Sequence, residues 1–157
     1  MIRTQISLLG ILFVVIFIQT FMVPGLGGSL RIDFLIGMTI GVIIHLSFSE
    51  GLLFILVSSL VFQAFSGARP GLIPLMYVFG YLVMDILKNI IYLENVLTQA
   101  LLAVAFNALM AAAFAVSVNT ILGEAELWNL LAGSLITGIV TPFMISLVGY
   151  LKKTYDA

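Results

Sequence analysis

The chain predicts an all-α integral membrane protein, with about six transmembrane helices in one compact bundle. Three observations carry that expectation. Hydrophobic residues make up 62% of the 157 and charged residues only 8%, where a soluble domain carries about 25% charge. Mean hydropathy is +1.27. The apolar residues fall in long runs, near the ~20 residues that a helix needs to cross a hydrocarbon core of ~30 Å. Short polar or Gly/Pro segments separate the runs, and the length leaves no room for a soluble domain beside them. Residues 1–157 therefore read as a single transmembrane domain.

The first span is expected over residues 6–22, with Gln19 as its one strongly polar residue. Arg3 alone makes a weak basic flank, and the apolar run exceeds the about 7–15 residues of a signal peptide. It reads as a retained helix. Pro24, Gly25, Gly27 and Gly28 end it. Asp33 is a natural N-cap for a second span, 33–48, which is short for a crossing. Residues 47–51 interrupt it, and a third span covers 52–65. One helix through both would rise about 48 Å and place Glu50 at mid-depth, so two short helices joined by a tight turn are expected. The loop Ser66–Gly71 leads to a fourth span, 72–92, with Pro74 tolerated in its first turn. A fifth span, 96–122, is rich in alanine and is expected at the centre of the bundle. An acidic loop over 123–126 precedes the sixth span, 127–151. There Pro142 removes a hydrogen bond near Gly138 and predicts a kink.

Loop charge sets the orientation. Arg3, Lys88, Lys152 and Lys153 fall on one side, Arg31 and Arg69 on the other. Both termini are expected in the cytoplasm.

The same composition narrows the chemistry. The chain has no Cys, one His and a net charge of −1, so thiolate and multi-histidine metal sites are excluded and a nucleic-acid footprint is missing. The sequence offers no plausible Ser/His/Asp order, no phosphate-binding glycine loop and no paired intramembrane acids. No catalytic residue, cofactor or metal is expected, and the chain reads as non-enzymatic.

Information sits in the interruptions. Asp85 lies in the fourth span with Lys88 and Asn89 on its face. It reads either as an ion, proton or partner site or as an Asp85–Lys88 pair drawn to the interface. His45 reads as a relay or as an interfacial histidine. Gly37 and Gly41 form a GxxxG, which serves packing within the chain or docking of another chain. Asn107 is expected to bond a neighbouring helix. Gly133, Thr137, Gly138, Thr141 and Pro142 mark a small-residue face on the last span. Gly37, Gly41, Gly133, Gly138 and Pro142 are thus the candidate partner-packing residues, around a groove between spans 2 and 6. Asp85, Lys88, Asn107 and His45 are the candidate intramembrane polar residues.

Two stretches carry a family resemblance. Ser58-Ser59-Leu60-Val61-Phe62-Gln63-Ala64-Phe65-Ser66-Gly67 leads into Pro70-Gly71-Leu72-Ile73-Pro74-Leu75-Met76-Tyr77-Val78-Phe79-Gly80-Tyr81-Leu82. This resembles the rod-shape-determining MreD family of bacteria, where a helix ends in a Ser-Gly loop, Gly-Leu opens the next helix and Gly-Tyr-Leu follows. Leu135-Ile136-Thr137-Gly138-Ile139-Val140-Thr141-Pro142-Phe143 is similar to that family's last helix, and Asp33 to its acidic or Asn position. Gln63 and Thr137 depart from it, standing where Asp and Asn are frequent. The resemblance implies a non-enzymatic inner-membrane component of the cell-elongation machinery. Its implied partners are the bitopic protein MreC and, indirectly, MreB filaments and the RodA–transpeptidase pair. The alternative is the substrate-binding subunit of a vitamin-type energy-coupling-factor transporter, with Asp85, Asn107, Tyr77, Tyr81 and Gln63 lining a polar cavity.

Overall fold

The shortest of the described α-helices is also the central one. The computed structural model describes residues 2–22, 32–66, 70–117 and 123–155. Among them run α1 (Ile2–Phe17, continued by a π-helical turn over Ile18–Met22), α2 (Phe34–His45), α3 (Phe48–Ser66), α4 (Leu72–Leu87), α5 (Val96–Ser117) and α6 (Glu124–Tyr155). No strand occurs among the described residues. Helices α3, α5 and α6 are long and apolar enough to cross a membrane, and α1, α2 and α4 are shorter apolar helices. The chain is an all-α membrane protein folded as one bundle.

Leu35 through Ile43 of α2 are buried without interruption. A helix apolar on every side has no face to turn to water and takes the core. It packs most extensively on α6 and also touches α1, α3, α4 and α5. The other five helices surround it: α1 against α6, α6 against α5, α4 against α3, and α3 against α1. Phe106 of α5 closes the ring onto α4, its ring filling the space that Gly80 leaves open and meeting Tyr77 edge-on at 6.5 Å.

This corrects the central place expected for the alanine-rich helix. α5 lies at the rim, with Ala105, Ala112 and Ala113 exposed. Small side chains thin a helix on one face, so that Gly138 of α6 approaches Ala100 and Val104. They do not require burial on every face.

Several boundaries also move. α3 begins at Phe48, because Ser47 and Glu50 form a local cap: the Ser47 backbone N–H and hydroxyl donate to Glu50 Oε2 at 3.3 and 2.7 Å. Glu50 is therefore in the first turn of the helix and outside the break. α4 stops at Leu87, and Lys88–Asn95 is irregular. Asp85 thus stands in the last turn of α4 and not in mid-span. α6 starts at Glu124 and continues through Pro142 to Tyr155. The Pro24–Gly28 break, Arg31, Arg69 and the end of the fifth span at residues 118–122 lie outside the described residues.

Two exposed aromatics near the ends of α6 are spaced as bilayer-interface residues are. Trp128 and Tyr150 are 72% and 67% exposed, and about 33 Å separates them along the helix axis. That matches a core of ~30 Å flanked by aromatic interface residues. Between these anchors, Thr137 lies about 14 Å from the Trp128 level and about 20 Å from the Tyr150 level.

Candidate functional site

One set of interior polar contacts converges on Asp33. α2 rises only about 18 Å, so its N-terminus stands well inside the bundle, level with Thr137. The first N–H groups of any helix have no intrahelical partner, and in lipid no water supplies one. Asp33 has extended backbone geometry and caps α2, with Oδ1 accepting from Leu35 N at 3.0 Å. The same oxygen accepts from Gln19 Nε2 at 3.2 Å. Gln19 lies in the π-helical turn of α1, and its Oε1 accepts from Phe34 N at 3.1 Å. The Tyr77 hydroxyl of α4 donates to Asp33 Oδ2. The Asp33 backbone N–H donates to Thr137 Oγ1 at 3.0 Å, and that hydroxyl in turn donates to Gly133 O at 2.9 Å.

One partly buried residue thereby ties four helices together: the Asp33 carboxylate caps α2 and takes Gln19 of α1 and Tyr77 of α4, and its backbone N–H reaches Thr137 of α6. Three donors and the positive end of the α2 dipole compensate the carboxylate charge. The arrangement holds a half-length helix in place; it presents no open nucleophile or base. Tyr77 and Thr137 are enclosed, at 2% and 1% exposure. Tyr77 also meets the edge of Phe62 at 6.4 Å.

Of these residues, the sequence pointed to Asp33 as a cap and as the acidic position of the family resemblance, to Gln19 as the polar residue of the first span, to Tyr77 as part of the alternative cavity and to Thr137 as part of a small-residue face; it did not bring the four together. The overlooked signal is length: a cap in front of a twelve-residue apolar helix must fall within the membrane.

The predicted polar residues do not join this cluster. Asp85 pairs with Lys88 at 2.5 Å at the end of α4, the two side chains 20% and 32% exposed. Asn107 is buried and donates to Ser134 Oγ at 3.1 Å across α5 and α6. The His45 ring lies against Gly149, and the Lys152 ammonium donates to the His45 carbonyl at the C-terminus of α2.

The small residues expected to frame a partner groove are occupied within the chain. A methyl on Gly37 would come within 3.2 Å of Thr141 Cα, and one on Gly41 within 3.1 Å of Ile145 Cα. One on Gly138 would lie 2.6 Å from Val104 Cγ2. Gly133 is buried and Pro142 half-buried in α6. The groove between spans 2 and 6 is closed by the direct contact of α2 with α6.

The five side chains of the alternative cavity also turn to separate partners. Tyr81 donates to Phe48 O at 3.0 Å, and Gln63 Oε1 accepts from Ile73 N at 3.2 Å. Tyr77, Asn107 and Asp85 are engaged as described above. Among the described residues, no three acidic or histidine side chains gather as metal ligands. No family model, curated protein or solved structure matches the chain.

Proposed function

We propose that this chain is a multi-pass, non-enzymatic inner-membrane component of the bacterial cell-elongation machinery. It binds an MreC-type bitopic protein and helps organise side-wall peptidoglycan synthesis, with both termini in the cytoplasm. The observation that carries this reading is the join between α3 and α4, where the first stretch of the MreD resemblance falls, its residues 67–69 lying outside the described residues. α3 ends at Ser66, Gly71 takes a left-handed φ of 84°, and α4 opens at Leu72. Gln63 binds the first turn of α4, Gly80 makes room for Phe106, and Tyr81 crosses to the start of α3. Each of these residues has a definite place in the fold.

A second support is the distribution of polar groups. A ligand site needs several polar groups converging on a concavity, whereas Asp85, Asn107, Tyr77, Tyr81 and Gln63 are dispersed. That favours a packing component over a vitamin-binding subunit. The end of the bundle that carries Lys88, Lys152 and Lys153 would face the cytoplasm by the positive-inside rule.

Depletion in a rod-shaped bacterial host tests the reading. Cells are expected to widen and round up; unchanged rods would refute it.

A further inference from the structure

At the Lys152 end of the bundle, a groove of about 360 Å³ opens between the end of α2 and the loop Lys88–Glu94. Its floor is apolar: Ile43 and Ile44 from α2, Leu46 just after it, and Ile91 and Leu93 from the loop. Its rim carries Lys88, Asn89, Tyr92 and Glu94. α4 descends about 17 Å from Tyr77 to Lys88, which brings the rim close to the Tyr150 level, where hydrocarbon gives way to headgroups.

We propose that this groove binds the headgroup and glycerol of a phospholipid bearing both a phosphate and a primary ammonium, namely phosphatidylethanolamine. The two charges of the rim carry the choice. Among the described residues Lys88 pairs with Asp85, and an ammonium has three N–H donors, so further donors remain for a phosphate oxygen. Glu94 is exposed and, among the described residues, holds the Tyr92 hydroxyl at 2.5 Å. A carboxylate accepts at several lone-pair positions, which leaves acceptors for a primary ammonium. The Tyr92 hydroxyl donates its one proton to Glu94, and that hydrogen bond and the charge of Glu94 raise the phenol above its ordinary range. A purely anionic headgroup would meet Glu94 with like charge. A quaternary ammonium would bring charge without an N–H. The apolar floor takes the start of the acyl chains.

The test is native mass spectrometry of the full chain, released from detergent micelles containing equal amounts of phosphatidylethanolamine, phosphatidylglycerol and phosphatidylcholine. Retention of phosphatidylethanolamine is expected to exceed that of the other two by about three- to fivefold, the scale of an exposed charge pair. Glu94→Gln should abolish the advantage over phosphatidylglycerol, and Lys88→Gln should lower retention of both. Equal retention of the three lipids, or an advantage that survives Glu94→Gln, would overturn the proposal. Glu94 is an exposed loop residue, so its variant carries the test even if Lys88→Gln, which strips Asp85 of its partner, fails to fold.

Discussion

Tyr77→Phe removes a single hydroxyl and keeps the ring that packs on Phe62 and Phe106. What is lost is the hydrogen bond to Asp33. Bonds to a charged group contribute about 1.5–3 kcal/mol in water-soluble proteins, whereas side-chain bonds between membrane helices average ~0.6 and reach ~1.7 kcal/mol. Tyr77 is 2% exposed, so the carboxylate oxygen it leaves has no easy replacement, yet Asp33 itself is only partly buried. The membrane upper bound applies, and a loss of about 1.5 kcal/mol is expected. Asp33→Asn keeps an N-cap of similar quality and removes the charge; a loss of about 1 kcal/mol follows from a weakened, neutral bond. Because both changes strike the same contact, they must couple. Equilibrium unfolding of wild type, both single variants and the double variant in mixed micelles gives the cycle. A coupling of about 1 kcal/mol is expected, and additivity within ~0.3–0.5 kcal/mol would refute the convergence of α2 and α4 on this carboxylate.

Further outcomes follow from the packing. Gly37→Leu and Gly41→Leu should each destabilise by at least about 1–3 kcal/mol through overpacking against α6, while Gly10→Ala, which meets no atom within 4 Å, should not; thermal unfolding separates them. Gly80→Ala should force Phe106 off α4 and loosen α5, read as faster amide exchange along α5. Asp85→Ala should change stability by less than about 1 kcal/mol, as expected of a partly exposed pair at a helix end, with normal membrane insertion; a larger loss of function at unchanged insertion would assign Asp85 a buried role. A reporter fused at the C-terminus should be active in the cytoplasm, and activity confined to the periplasm would reverse the orientation.

How far the sequence could be read depended on whether a feature is local. The solvent of the protein, the helical class and most of the segments follow from apolar run length, a property of consecutive residues. The GxxxG of Gly37 and Gly41 could be read as a close-approach face, but not its partner, because small residues permit contact without naming what comes close. The central position of α2 was obscured by its length: a short helix reads as a marginal span, yet burial on every side follows from its lack of any polar face. The site was less legible still. Gln19, Asp33, Tyr77 and Thr137 lie on four helices up to 118 positions apart in sequence, and only the packed bundle shows that they share donors and acceptors. Asp85 drew attention because a carboxylate in an apolar run is costly. The early end of α4 removes that cost by bringing it to the loop beside Lys88.

The most direct measurement of the central claim is affinity purification of the full chain from membranes of a rod-shaped bacterium after mild crosslinking. An MreC-type bitopic protein is expected to be recovered in amounts comparable to the chain itself. Recovery without such a partner, together with tight binding of a vitamin by the purified chain, would contradict the claim and move the assignment to a transporter subunit.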